Sequence, residues 1–381
     1  MTNAQGRRIG VNLLWLVPGE VGGSEEYTVR LLAALKEFGS DDVEIVLYVN
    51  GRFGEAYPEL ASWYPTRVAP VSGSSRGLRV VLESTWLAMR SRLDGCVLVH
   101  HAGGTMPMVR SVPGILTMHD LQPLANPERF GLIKGTYIRF LAPRSLKKAK
   151  TVVCLSDFVA NDVVDRVGVR REDIEIVPCG VTDPGAAFDQ QRSRALLEEL
   201  DLSDHPFVIY PAITYPHKNH ASLVAAFARI ADRVDDVRLV FTGGAGASDS
   251  VVESTIAAYG LQSKVIRTGR IPESDLDLLY RAATMMAFPS LYEGFGVPIL
   301  EAMSRGCPIV SSDAGALPEV VGDAGELVDP IDVAGWANAL LGLLTDPTRR
   351  TVLTRRGFDR ATQFSWSASA QTLLSVYREN R

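Results

Sequence analysis

Strand-length apolar runs alternate with helix-length segments along the whole chain, and the alternation starts twice. In the first half, Ile9–Trp15, Val43–Val49, Cys96–His100, Ile115–Asp120, Thr151–Leu155 and Ile174–Pro178 read as buried strands. Helices are predicted from Ser24, acting as N-cap, to about Phe38, through Leu78–Arg92, and after a cap at Ser156 or Asp157. A turn-rich join, Cys179-Gly180-Val181-Thr182-Asp183-Pro184-Gly185, separates this series from the next. The alternation then resumes with strands at Phe207–Tyr210, Arg238–Thr242, Val265–Ile266 and Met285–Phe288, and helices from about Asn219, after Ser248 and from Glu273. Two such series predict an α/β chain of two Rossmann-like, doubly wound domains facing a cleft, at 1–182 and 183–363. A length of 381 residues is also too great for one ordinary core.

Composition narrows the class. Hydrophobic residues make up 46% and charged residues 22%, as in a globular protein. No apolar stretch has the length of a membrane span and the N-terminal residues carry no signal-peptide core, so a cytoplasmic location is expected. Net charge is −5, divided as +2 over residues 1–182 and −7 over the remainder, which argues against nucleic acid as a partner. The four cysteines (Cys96, Cys154, Cys179, Cys307) are scattered without a C-x-x-C pair, so buried reduced thiols are expected and neither disulfides nor zinc.

The stretch Pro289-Ser-Leu-Tyr-Glu-Gly-Phe-Gly-Val-Pro-Ile-Leu-Glu301 carries the most chemistry. An apolar strand feeds a glycine turn, and the turn opens a helix with Pro298 in its first turn, where a missing N–H costs nothing. The N–H groups of Phe295, Gly296 and Val297 lack intrahelical acceptors and lie at the positive end of the helix dipole. Such an end attracts a phosphate. Glu293 and Glu301 bracket it, and a carboxylate there suits a hydroxyl-rich group attached to that phosphate; a sugar-phosphate site is expected. Glu301 has a plainer account, as an acid favoured in a first helical turn.

Other loops share the same sheet edges. Gly22-Gly23 before a helix N-terminus is either a phosphate approach or only a tight turn. Lys218, entering the helix after Ala212-Ile-Thr-Tyr-Pro-His-Lys-Asn219, neutralises a phosphate or is simply solvated. Phe241-Thr-Gly-Gly-Ala-Gly246 is glycine-rich after a strand but lacks full dinucleotide spacing, and Gly269-Arg270-Ile271 opens a further loop. His119-Asp120 and His100-His101 end strands where ligands of open α/β sheets sit; for any one of these histidines a structural role is the commoner case.

From Arg129 to Lys150 there are seven basic residues (Arg129, Lys134, Arg139, Arg144, Lys147, Lys148, Lys150) and no acid. Phe130, Ile133, Tyr137, Ile138 and Leu141 interleave at helical spacing. The pattern suits peripheral contact with anionic lipid at the inner membrane face, and equally an ordinary amphipathic helix with a solvated basic face.

With its neighbours, the Glu293–Glu301 segment resembles the family-4 glycosyltransferases, retaining sugar-nucleotide-dependent enzymes of the GT-B fold. Gly22-Gly23-Ser24-Glu25, His119-Asp120, Ser156-Asp157-Phe158, Val177-Pro-Cys-Gly-Val181, Lys218-Asn219, Pro289–Glu301 and Phe364-Ser365-Trp366 match that family's motifs in order. The resemblance implies catalytic roles for Glu293, His119 and Lys218. Glu293 would hold donor-sugar hydroxyls and Lys218 would offset charge on the departing diphosphate. His119 would contact the sugar near the reaction centre. Donor binding would draw on Gly22, Gly23, Gly243, Arg270, Ile271, Gly294, Phe295, Gly296 and Val297, with Glu301 on the ribose hydroxyls. It also implies that a terminal helix in 364–381 returns to the first domain, anchored by Trp366, unless that residue packs in the second.

The family's usual arginine ahead of the lysine is replaced by Ala212, and the one often preceding the lysine by His217. The Tyr210–His220 form resembles mannosyl- and rhamnosyl-transferases of polysaccharide or glycolipid synthesis. The expected donor is therefore GDP-mannose, with UDP- or other nucleotide sugars as alternatives, and the acceptor a saccharide or lipid-linked sugar. No metal and no cofactor are expected, and attack would come from the front face. Competing readings are a sugar-nucleotide epimerase on the same scaffold and a non-catalytic sugar-nucleotide-binding partner subunit.

Overall fold

A computed structural model describes residues 7–20, 22–38, 42–73, 75–125, 132–181 and 189–380. Thr182–Gly185 of the expected join, Arg129 and Phe130, and the side chains of Ile133, Lys134 and Tyr137 lie outside the described residues. The chain forms two compact units, Met1–Gly180 with Ser365–Arg381, and Val181–Phe364.

The first unit runs β1 (Arg7–Leu13), α1 (Gly23–Glu37), β2 (Val43–Val49), the short helices α2 (Phe53–Ala56) and α3 (Pro58–Trp63), and β3 (Thr66–Val68). It continues with α4 (Arg76–Leu82), α5 (Ala88–Leu93), β4 (Leu98–His101), β5 (Gly114–Met118), α6 (Gln122–Ala125), α7 (Leu132–Lys148), β6 (Thr151–Cys154), α8 (Asp157–Val167) and β7 (Ile174–Ile176). The strands form one parallel sheet in the order β3-β2-β1-β4-β5-β6-β7. Helices cover both faces, so the consecutive residues Ile9 to Leu13 of β1 are all buried, as are Val152 and Val153 of β6.

Two local expectations change, and one strand was not expected. Ser24 does not cap α1: the N-cap is Gly22, at φ 77° and without a side-chain acceptor, and Ser24 lies within the helix. The expected helix Leu78–Arg92 is interrupted by a π turn, Glu83–Leu87. That wider turn places Glu83 inside the unit, where Asn12 Nδ2 donates to Oε1 at 3.4 Å, and burial raises its pKa. The edge strand β3 was too short and too exposed to show a two-residue period.

The second unit runs α9 (Gln190–Glu199), β8 (Phe207–Pro211), α10 (His220–Ala228), β9 (Arg238–Thr242), α11 (Asp249–Ala258), β10 (Val265–Gly269), α12 (Glu273–Ala282), β11 (Met285–Phe288) and α13 (Val297–Ser304). Then follow β12 (Ile309–Ser312), α14 (Leu317–Val321), β13 (Gly325–Val328), α15 (Val333–Thr345) and α16 (Pro347–Ala361). Its parallel sheet has the order β10-β9-β8-β11-β12-β13, which is the doubly wound arrangement with its reversal between β8 and β11.

The last helix, α17 (Trp366–Glu379), belongs to the first unit. The Ser365 hydroxyl caps it by accepting from Ala368 N, and Ala370, Leu373, Leu374, Val376 and Tyr377 are buried. Tyr377 Oη lies 2.7 Å from His100 Nδ1, and Ser369 Oγ donates to Pro178 O at 2.8 Å. The Trp366 ring packs 5.9 Å from Tyr27, within the first unit rather than the second.

Candidate active site

A reversal in strand order leaves a crevice beyond the carboxyl ends of the two strands that flank it. In the second unit these are β8, which leads to Lys218, and β11, which leads to Glu293. The two side chains meet there, with Lys218 Nζ 2.5 Å from Glu293 Oε1. Both are mostly enclosed, at 20% and 15% side-chain exposure, so the pair is shielded enough to matter electrostatically. The ammonium also lies 5.6 Å from the centre of the Phe288 ring.

The loop from Pro289 to Gly296 delivers Glu293 and then opens α13. Gly296, its N-cap, has φ 111°, and a Cβ there would lie 2.6 Å from Leu317 Cδ2, so only glycine fits the turn. No side chain among the described residues caps α13. Among the described residues the Phe295 and Gly296 amides have no acceptor, so with Val297 N–H they leave the positive end of α13 open to an anion. Phe295 itself is buried, 5.7 Å edge-on to Phe364. Glu301 is the fifth residue of α13, past the first turn, so favour from the helix dipole does not account for it. It is half-buried, and Tyr280 Oη donates to its Oε2 at 3.3 Å.

Gly243 and Gly269 adjoin at the ends of β9 and β10, where Gly243 N donates to Gly269 O at 2.8 Å. A Cβ on Gly243 would fall 2.5 Å from Ala212 O, so this glycine serves close packing of the loops. Arg270 follows, exposed and without an ion pair among the described residues, and Ile271 is half-buried. His217 lies flat against Tyr215, with centroids 5.9 Å apart.

In the first unit, Gly22 and Gly23 form the start of α1, and among the described residues no side chain caps it and a Cβ on either glycine would meet nothing within 4 Å. The loop before them is held by Glu25, whose carboxylate accepts from Gly19 N at 2.9 Å and from Tyr57 Oη. His119 follows β5. Its Nε2 lies 2.8 Å from Ala102 O, and its ring meets Tyr27 edge-on at 5.4 Å and Trp15 at 6.2 Å. Part of the ring surface is open, while Nδ1 is enclosed without a partner among the described residues, and burial lowers the pKa to about 4. His100 and His101 are structural. His100 bridges Tyr377 and Thr117, and His101 Nδ1 lies 3.3 Å from Asn12 Nδ2.

Several residues support the site in ways that the sequence did not assign to them. Tyr210, fully buried, bonds Lys218 O at 2.7 Å and Ser290 Oγ at 3.2 Å, tying the two site loops together. Leu291 N donates to His217 O at 2.7 Å, and Asn219 Nδ2 donates to Pro289 O at 3.1 Å and to Pro330 O at 2.8 Å. The loop after β12 carries Glu293 from behind: Ala316 N donates to Glu293 O at 3.0 Å, and Gly315 packs on the Glu293 backbone. Such contacts join residues distant in sequence and have no local pattern.

Two doubly wound parallel sheets in one chain, the second gathering a lysine, a carboxylate and an open helix end at its reversal point, define a GT-B glycosyltransferase. The model of the family "Glycosyltransferase Family 4" matches residues 21–183, and that of "Glycosyl transferases group 1" matches residues 194–360. An O-antigen chain mannosyltransferase B of Escherichia coli is 30% identical over 266 residues, covering 69% of this chain and 70% of the relative. The O-antigen chain mannosyltransferase RfbU of Salmonella typhimurium is 26% identical over 359 residues, covering 92% and 96%. In fold, the chain is similar to Anabaena HepE solved with UDP and glucose, at a TM-score of 0.77 and 20% identity over 98% of this chain and 100% of that one. The chain belongs to the family-4 glycosyltransferases.

Proposed function

We propose that this glycosyltransferase moves mannose, with retention of anomeric configuration, from GDP-mannose to a saccharide or glycolipid acceptor in polysaccharide synthesis. The observation that carries the reading is the Lys218–Glu293 pair beside the open end of α13. The names of the two O-antigen mannosyltransferases support mannose as the sugar. A UDP-sugar is the competing donor.

In this reading the donor diphosphate binds at the Phe295–Val297 amides with Lys218 beside it, and Glu301 takes the ribose hydroxyls. The bond from the anomeric carbon to the diphosphate oxygen breaks, and the acceptor oxygen bonds the same face of that carbon. The acceptor's proton passes to the departing diphosphate, whose growing charge Lys218 and the helix end offset. Glu293, released from Lys218, accepts from sugar hydroxyls and stabilises positive charge on the ring. The step as drawn requires no metal or cofactor. Arg270 supplies a second cation in place of the arginine absent at Ala212.

The same proposal places the protein in the cytoplasm, with the basic side of α7 against the inner membrane face. In the described part of α7, Ile138 and Leu141 are turned to the unit's own core, while Phe140 is exposed under the Arg144 guanidinium. Among the described residues no helix is long and apolar enough to cross a membrane.

A thermal-shift panel of nucleotide sugars tests the donor. A ligand at a hundred times its dissociation constant adds about 2.7 kcal/mol of stability. Stabilisation by GDP-mannose with no response to UDP-sugars supports the reading; no response to any nucleotide sugar sinks it.

A further inference from the structure

At the amino-terminal edge of the first unit's sheet lies a cavity of about 360 Å³, lined by Arg110, Lys148 and Lys150 together with Ser111, Pro113 and Gly114. Gly114 begins β5 and His119 follows its other end, so this cavity and the His119 corner are separated by the length of the strand, about 17 Å. Among the described lining residues three are cations and none is an acid.

Two of the three cations, Arg110 and Lys148, have no carboxylate partner among the described residues. Arg110 is half-buried, its Nη1 donates to Pro107 O at 2.9 Å, and among the described residues no carboxylate pairs with it. Burial lowers its pKa, as for a guanidinium desolvated without a compensating anion. Lys148 is exposed and also without a carboxylate partner among the described residues. A planar fork of donors beside ammonium groups matches the oxygens of a phosphoryl group. The rim adds exposed Met108 and Val109, at 67% and 61% exposure, and Phe140, Arg144 and Lys148 follow one another at four-residue intervals along α7.

We propose that Arg110, Lys148 and Lys150 form a second anion site on this protein, for a phosphate group, distinct from the residues proposed to hold the donor. The phosphate is carried either by a small solute or by a lipid headgroup. The site depends only on this pocket and not on the transfer reaction.

The test uses the full chain with Lys218→Ala, which weakens phosphate binding at the proposed donor site, and compares it with the same chain also carrying Arg110→Gln or Lys148→Glu. Inorganic phosphate is titrated by calorimetry at low salt. Sedimentation is measured with phosphatidylcholine vesicles with and without phosphatidic acid. Lys148 is exposed, so its replacement tests the pocket even if the Arg110 variant fails to fold. Phosphate binding weakened about tenfold in the variants supports the site and identifies a small solute. Binding only to phosphatidic acid vesicles, lost in the variants, supports it and identifies a lipid. Absence of both, or binding unchanged by both substitutions, overturns it. Transfer activity of the single variants Arg110→Gln and Lys148→Glu with a soluble acceptor is expected within twofold of the parent chain.

Discussion

Lys218 and Glu293 come from loops 75 residues apart in sequence, yet their charged atoms lie 2.5 Å apart. Each satisfies the other in this structure. In the proposed reaction a sugar diphosphate would separate them: the ammonium would gain phosphate oxygens and the carboxylate hydroxyl donors, exchanging one charge-assisted contact for several.

Glu293→Ala is therefore expected to keep nucleotide affinity within a few-fold while abolishing transfer. Lys218→Met is expected to lower kcat by about 10²–10³, the scale for losing one electrostatic donor to a transition state. Calorimetry with GDP and a radiolabelled sugar-transfer assay separate binding from turnover. Full transfer by Glu293→Ala would refute its role.

Tyr210 acts on the site through Lys218 and Ser290. Tyr210→Phe removes one hydroxyl and leaves Lys218 O and Ser290 Oγ without that partner in a buried position. About 1–3 kcal/mol of stability should be lost, and kcat should fall more than nucleotide affinity because the loops shift against each other. Thermal melting and a kcat-against-KM comparison check this. Ser290→Ala should lose less on both counts, since the bond from Tyr210 to Lys218 remains.

Acid should weaken the first unit. Burial holds His100 and His101 at pKa values of about 3 and His119 at about 4, against an ordinary 6.5. These folded values are depressed, so the associated stability is whole above pH 6.5. As pH falls toward 4 the unfolded chain takes up protons that the folded unit refuses. Each such histidine contributes a loss of up to about 1.4 kcal/mol per pH unit in that window. His100→Gln should flatten the fall in melting temperature between pH 6.5 and 4; an unchanged slope counts against the assignment.

Most strands and helix starts were legible because buried parallel strands are continuous apolar runs and the loops after them end in Gly, His or Lys; β3, β12 and β13 were not predicted. Met285–Phe288 and Arg238–Thr242 fall on the strands observed. The start of α1 was misread because Ser24 offers a better cap than glycine in isolation. Gly22 takes that place with a backbone conformation closed to side-chain-bearing residues, and the Glu25 carboxylate turns back to Gly19. Glu293 and Lys218 were each visible as residues with a chemical use. Their pairing was not, since it depends on the reversal between β8 and β11, a property of sheet order rather than of either loop. Tyr210 was read as a strand end and as the first residue of the Tyr210–His220 form, and its hydroxyl acquired a purpose only when Lys218 O and Ser290 came within reach.

Gly315 offers the sharpest test of how Glu293 is held. It has φ +62°, and a Cβ there would stand 2.6 Å from Glu293 O and 2.8 Å from Glu293 N. Both neighbours are backbone, so no side chain can turn aside to make room. Gly315→Ala meets about 1–2 kcal/mol of left-handed strain and must also push the Glu293 loop away or break the bond from Ala316 N to Glu293 O. A loop shift of 1 Å suffices to lower turnover about a hundredfold, and the shift should leave Lys218 in place. The expected signature is a kcat loss approaching that of Glu293→Ala with a melting temperature lowered by only a few degrees. Gly322→Ala supplies the comparison. It has a similar φ of +56°, but its Cβ would meet only the Arg360 side chain, at 3.4 Å. It should show a similar loss of melting temperature with nearly full turnover, and equal kcat losses in the two variants would show that backbone strain alone, and not support of Glu293, governs activity.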